Sequence, residues 1–283
     1  MYIPECSRNT INVQSVQEIP RQPCQTVIQY TSGFPFPNLH LQYGRWDNTR
    51  SYKFFDNFVV GDQFSYVSNK SLVCLATQSS VEKLHSLAQV ANHWSGPISA
   101  AVFAAGEEEF DVLLTYIAYL RQCVAGVMER VSFHLVLPKD KMPAGVKADL
   151  TNLESFDCLK PEETLNQLLK RLPPTIVKWR SKNPYPQNHL RNVARKNCQN
   201  SYVFLTDVDI VPSYNLSNGL DRFLRNDECK TKCAYVVPTY ELDERVHFPP
   251  NKSELMRLAR KGLARPFHEK VFIFNQFATN FSR

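Results

Sequence analysis

From residue 72 onward, short continuous apolar runs alternate with segments of helical period. "LVCLAT" (72–77), "PISAAVFAA" (97–105), "VSFHLVLP" (131–138) and "SYVFLTD" (201–207) are apolar at nearly every position. Runs without polar alternation predict strands buried on both faces. Between them lie predicted helices. The first follows Ser79, where S-x-x-E with Glu82 predicts a capping box, and Val81, Leu84, Leu87, Ala91 and Trp94 recur at helical spacing. "GEEEFDVLLTYIAYLRQC" has acids in its first turn, "KPEETLNQLLKRL" tolerates Pro161 in its own, and "PQNHLRNVARKNC" precedes the fourth strand. "CAYVVPTY" (233–240) predicts one more strand, and "KSELMRLARKGL" one more helix. Alternating β and α predicts an α/β fold: a mostly parallel sheet with helices on both faces. Ligands of such sheets bind at the carboxyl ends of the strands.

Residues 1–70 have a different texture. Pro4, Pro20, Pro23, Pro35 and Pro37 fall among polar residues and scattered aromatics, with no clear period. This stretch is expected to be a stem or N-terminal extension, partly irregular, and 71–283 the main domain.

Composition narrows the function classes. The 283 residues are 43% hydrophobic, enough for a sizeable core. The net charge of +6 suits anionic ligands such as nucleotides. It is too small and too dispersed to argue for nucleic acid. No run of about 18 apolar residues predicts a membrane span. The eight Cys include no Cys-x-x-Cys pair, which argues against a zinc ribbon, and Cys229 and Cys233 are close enough in sequence to pair. Asn69, Asn215, Asn251 and Asn280 each open an Asn-x-Ser sequon. Together with the Cys count they lean towards a secretory compartment.

The candidate chemistry sits where "VFLTDVDIVPSYN" (203–215) leaves its strand. Asp207 and Asp209, spaced i, i+2, can both turn to one Mg²⁺ or Mn²⁺ ion if the chain curls there, leaving positions open for phosphate oxygens. The bland alternative is an acidic loop capping a helix that starts near Ser213. Two enzyme classes place Asp-x-Asp at a strand end. In haloacid-dehalogenase phosphatases the first Asp is a nucleophile, and "DVDIV" fits that pattern, but their motif opens the domain, whereas three strands precede this one. Nucleotide-sugar glycosyltransferases of the GT-A fold place it midway, after a nucleotide-binding half.

The flanking blocks favour the second class. "YPQNHLRNVARKN", "YVFLTDVDIVPS", "YVVPTYE", "KSELMRLARKGLARPFH" and "QFATNFSR" follow one another in order, and "LATQSSVEKLHSLAQVANHWSGPISAAVFAA" precedes them. Over roughly residues 55 to 283 the chain resembles glycosyltransferase family 49. The resemblance implies a GT-A (Rossmann-like) fold and a Golgi type II membrane enzyme. It implies inverting transfer of glucuronic acid from UDP-glucuronate, with Mn²⁺, to a β-xylose acceptor in the O-mannosyl glycan of dystroglycan. On that reading Asp207 and Asp209 are the metal pair, Ala76 and Thr77 lie near the uridine, and Arg191 and Asn192 face the donor. Glu241 is a weak candidate for acceptor contact or base. His247 and His268 are expected to be structural or surface residues. Two departures stand out: no membrane anchor is visible, and the sequence stops at "TNFSR", where family members continue through a segment expected to supply a His ligand and much of the acceptor site. The domain is therefore expected to be C-terminally incomplete. The alternative is a truncated, non-catalytic member that binds nucleotide or a related glycosyltransferase partner.

Overall fold

The computed structural model describes residues 40–145, 153–226, 232–272 and Thr279. In chain order its elements begin with β1 (Arg45–Trp46), β2 (Tyr52–Val60), α1 (Phe64–Lys70), β3 (Val73–Ser80), α2 (Ser86–His93) and β4 (Ile98–Phe103). Next come α3 (Gly106–Cys123), α4 (Ala125–Met128), β5 (Val131–Pro138), α5 (Pro161–Leu169), α6 (Pro174–Lys182), α7 (Gln187–Asn197) and β6 (Tyr202–Leu205). The last are α8 (Leu216–Asn226), β7 (Tyr240–Leu242), α9 (Lys252–Arg260), β8 (Ala264–Pro266) and α10 (Glu269–Phe272).

Six strands form one sheet in the order β1-β2-β5-β4-β3-β6. The predicted apolar runs are its parallel part: β3 pairs with β4 and β6, and β4 with β5. Every residue of β3, β4 and β5 is buried. Successive side chains of a strand point to opposite faces, so both faces of these strands are covered. On one face, Leu190, Val193 and Ala194 of α7 pack with Ala76, Ala101, Phe103 and Val136. On the other, Leu75, Val102 and Leu135 have no solvent exposure. The parallel strands lie in the order β5-β4-β3-β6, so the chain steps outward to β5 and then returns past β3 to add β6. The strand order reverses at the β3–β6 junction, which makes it the switch point where such sheets open a crevice for ligands.

Two disulfides tie this arrangement together. Cys74–Cys198 joins β3 to the end of α7, and Cys123–Cys158 joins the end of α3 to the approach to α5. Cys233 is also disulfide-bonded, while Cys229, its expected partner, lies outside the described residues. Asn280 lies outside them too, as do residues 1–39 of the expected extension. Among the described residues no helix is long and apolar enough to cross a membrane.

Several expectations need correction. Tyr52–Val60, inside the stretch expected to lack a period, is a strand paired antiparallel with β5. Its register shifts between Phe55 and Val59, and Asn57 has φ 52°. The polar pair Asp56–Asn57 at this irregularity breaks the alternation that would have announced a strand. The capping box at Ser79 does not form. β3 runs on to Ser80, the Ser79 hydroxyl donates to the Ser80 carbonyl, and a short 3-10 turn, Val81–Lys83, precedes α2. The strand expected at 233–240 is reduced to β7, which pairs with β8 in a separate two-stranded sheet. Residues 232–236 are exposed, and Pro238 has no N–H to give a ladder. Helix α6 was not anticipated; Pro174 occupies its first turn, where its missing N–H costs nothing.

Candidate active site

β6 delivers the two carboxylates. The Thr206 N–H donates to the Ala76 carbonyl at 3.0 Å, continuing the ladder with β3 one residue beyond the strand. The chain then turns, with the Ile210 N–H donating to the Asp207 carbonyl at 3.0 Å. Val208 is buried and anchors this turn. Asp207 and Asp209 on either side of it open onto one cleft of about 330 Å³, whose walls come from Gln78, Lys83, Arg180 and Tyr185. The acidic-loop alternative is not what forms: α8 starts at Leu216, and the Asp207 and Asp209 carboxylates face the cleft instead of capping it.

Asp207 is held from two directions. Arg191 reaches its Oδ1 from Nε at 3.2 Å and both carboxylate oxygens from Nη2 at 2.9 Å. Gln187, one helical turn earlier on α7, donates to Oδ2 at 3.4 Å, and Gln78 of β3 donates to Oδ1 at 2.9 Å. Positions i and i+4 share a helix face, so α7 presents Gln187 and Arg191 together while Leu190, Val193 and Ala194 pack on the sheet. Asp209 is more open. Its Oδ2 accepts from Lys83 Nζ at 3.0 Å, and both side chains are at least half exposed.

The far wall rests on a buried ion pair. Glu109 is almost fully buried and accepts from Arg180 at both oxygens, 2.6 and 2.8 Å, and from the Ala105 N–H at 2.7 Å. Arg180 also reaches Glu82 at 3.0 Å and lies over the Phe103 ring. Burial is the largest single influence and opposes the guanidinium charge, but the Glu109 hydrogen bonds together with the charges of Glu109 and Glu82 outweigh it, so the net shift of Arg180 is upward. Burial likewise pushes the Tyr185 hydroxyl up, keeping it a neutral donor, and it donates to the Gln78 side-chain oxygen.

The predicted residues divide. Asp207 and Asp209 line one cleft, and Arg191 pairs with Asp207 without lining it. Ala76 and Thr77 are buried inside β3, and the cleft begins one residue later, at Gln78, because the strand is longer than its apolar run. Asn192 is exposed on α7, about 100° around the helix from Arg191, and does not line the cleft. Glu241 lies on β7, away from the lining residues. Its oxygens accept from Arg265 at 2.7 Å and from the His268 N–H at 3.0 Å, and these bonds lower its pKa. His247 is exposed, and neither it nor His268 lines the cleft. Gln78, Lys83, Arg180, Tyr185 and Gln187 were not singled out from the sequence. The available signal was the polar run "QSS" after "LVCLAT", of which Ser79 was read as a cap.

A larger open groove of about 890 Å³ runs between α2 and the start of α5, past His93, Glu162 and Tyr214. None of the predicted site residues lies in it. Among the described residues no cluster of three or more His, Cys, Asp or Glu side chains forms a metal cage. The pair nevertheless fits a hard divalent ion: two carboxylates of one turn open onto one cleft, where Lys83 and Arg180 are the basic lining side chains and phosphate oxygens would share the ion's coordination.

A family model described as "Glycosyl-transferase for dystroglycan" matches residues 72–283. The chain is 36% identical to human "Beta-1,4-glucuronyltransferase 1" over 214 residues, 75% of this chain and 50% of that protein. Against the protein of that name in Danio rerio it is 29% identical over 258 residues, 86% of this chain and 59% of the other. It is 26% identical over 227 residues to "Xylosyl- and glucuronyltransferase LARGE2s" of Danio rerio, covering 78% of this chain and 24% of that protein. The chain spans about half the length of the first of these relatives.

Proposed function

We propose a function from one premise: the chain belongs to the family of glycosyl-transferases for dystroglycan. Its cleft binds a nucleoside-diphosphate sugar, and its reaction is inverting transfer of glucuronic acid from UDP-glucuronate to a β-xylose acceptor in an O-mannosyl glycan. The names of the relatives support the glucuronyl donor. The disulfides Cys74–Cys198 and Cys123–Cys158 support a lumenal, oxidising compartment, here the Golgi. The observation that carries the reading is the placement of Asp207 and Asp209 together in one cleft, beside Lys83 and Arg180, at the switch point of the sheet.

Asp207 and Asp209 would hold a Mn²⁺ ion. That ion, when bound, supplies charge that stabilises the departing diphosphate. Gln78, Gln187 and Arg191 fix the direction of the Asp207 carboxylate, and Arg180, held by Glu109 and Glu82, lines the same cleft. Inversion requires the acceptor hydroxyl to attack opposite the leaving group and to lose its proton to a base. Glu241 already accepts two hydrogen bonds and is more acidic than an ordinary carboxylate, so its geometry suits a tie between β7 and β8 better than that base.

The test is calorimetric binding of Mn²⁺ and UDP to this chain, followed by transfer from UDP-glucuronate to a β-xyloside. Replacing both carboxylates, Asp207→Asn with Asp209→Asn, should weaken Mn²⁺ binding by more than about 100-fold. Unchanged Mn²⁺ affinity in the double variant removes the metal role.

A further inference from the structure

Every carboxylate at the mouth of this cleft is already matched by a basic side chain: Asp207 by Arg191, Asp209 by Lys83, and Glu82 by Arg180. The three pairs are not equivalent. The Arg180 guanidinium is anchored twice to buried Glu109. Asp207 accepts from Arg191, Gln78 and Gln187 and is only 29% exposed. The Lys83–Asp209 pair is a single contact at 3.0 Å, with side chains 60% and 50% exposed. Lys83 ends the 3-10 turn Val81–Lys83 between β3 and α2, so its long flexible stem is free to swing without disturbing either element.

We infer that Lys83 is a counterion passed from Asp209 to the diphosphate, and that it makes metal and nucleotide bind this cleft as a coupled pair. The inference rests on the nucleotide-sugar reading above and adds a residue and a regulation to that site. A divalent ion arriving alone must displace the Lys83 ammonium and leave it beside a dication. A diphosphate arriving alone meets an ammonium already engaged with Asp209, in a cleft that Asp207 and Glu82 also line. When both arrive, Asp209 takes the metal, Lys83 turns to a phosphate oxygen, and each charge keeps a partner of opposite sign. Each ligand therefore removes the cost of binding the other, which is positive coupling between two sites through one shared side chain. Arg191 takes a lesser part, because Gln78 and Gln187 keep Asp207 oriented whether or not the guanidinium moves.

The experiment is calorimetry on the full chain with Mn²⁺ alone, UDP alone, and each in the presence of the other, for the wild type, Lys83→Met and Lys83→Arg. The wild type should bind each ligand about tenfold more tightly when the other is present. Lys83→Met should bind Mn²⁺ alone up to about fivefold more tightly, since an exposed competing ion pair is gone. It should bind UDP with Mn²⁺ about tenfold more weakly, since a charged hydrogen bond to phosphate is lost. Lys83→Arg should retain the coupling. A wild type that binds both ligands independently, or a Lys83→Met variant with undiminished coupling, overturns the inference and leaves the nucleotide-binding reading standing. A wild type that binds neither ligand overturns both.

Discussion

Strands β3, β4 and β5 and strand β6 belong to one sheet but are built differently. The first three are buried at every position, with Cys74, Leu75, Ile98, Val131 and Leu135 fully excluded from solvent. β6 has no fully buried residue, and Leu205 at its end is 45% exposed. α7 bridges the two zones. Its apolar face packs on the sheet core, and its Gln187–Arg191 face reaches the β6 end. The buried strands act as a floor whose position is over-determined by packing and by the Cys74–Cys198 crosslink. The carboxylates sit at the edge of that floor, where packing thins and a charged ligand can enter. Stability and chemistry are thus carried by different residues, and substitutions should separate them.

The largest separation should come from Phe133 of β5, which is 1% exposed. Phe133→Ala should cost about 3–5 kcal/mol of folding stability, from lost burial and the cavity left behind. The same truncation at Leu205 of β6 should cost under about 1 kcal/mol. Urea denaturation of the two variants measures both. Equal losses would mean that β6 is as deeply integrated as β5, and the contrast between the two zones would fail.

The floor was legible in the sequence, and the edge only partly so. β3, β4 and β5 announced themselves because burial on both faces leaves an unbroken apolar run. α3 did so through the acids of its first turn. Asp207 and Asp209 were legible because they follow such a run directly. The walls of the cleft were not. Arg180 and Gln78 come from segments about a hundred residues apart, and the salt bridge that fixes Arg180 joins α6 to Glu109 on α3. No local pattern encodes that meeting. β2 was hidden for a local reason, its Asp56–Asn57 irregularity, and Ala76–Thr77, read as the end of the first strand, lie inside it because polar Gln78, Ser79 and Ser80 are still strand.

A second way to sharpen the contrast uses pH. His134 of β5 has no solvent exposure. Its Nδ1 accepts from the Asn57 N–H at 2.8 Å, and its Nε2 lies 2.8 Å from the Ser99 hydroxyl, which donates to the Ala194 carbonyl of α7. This chain of bonds requires a neutral ring with its proton on Nε2. Burial lowers its pKa from 6.5 to about 4, with Asp56 opposing and Arg45 reinforcing the shift. Between those two values the unfolded chain binds a proton that the folded chain does not, so stability is highest above the unfolded value and falls as the pH drops towards 4. The full loss is roughly 3 kcal/mol at about 1.4 kcal/mol per pH unit. Denaturation midpoints between pH 7 and pH 4 should show this slope, and His134→Gln should flatten it. An identical slope in that variant would assign the pH dependence to other groups.

The smallest effect expected is at Glu241, and it tests the contrast from the side of chemistry. The Arg265 hydrogen bond and the His268 N–H lower the Glu241 pKa, so the charged form ties β7 to β8 beyond their three-residue ladder. Glu241→Gln keeps the shape and an acceptor oxygen but removes the charge. Since Glu241 does not line the cleft, UDP affinity in the presence of Mn²⁺ should stay within about twofold of the wild type, as for sites that share no partner. The tie itself should weaken: amide exchange at residues 240–242 and 264–266 should quicken in the variant. Its contribution to wild-type stability has the usual pH sense of a hydrogen-bonded carboxylate. The folded carboxylate stays ionised below the unfolded pKa, so the contribution of the tie is complete above that value and is lost only as the pH falls through the lower folded one. A Glu241→Gln variant with unchanged exchange but markedly weaker UDP binding would move Glu241 from the two-stranded sheet into the ligand site, and would show that the cleft extends farther from β6 than its present walls.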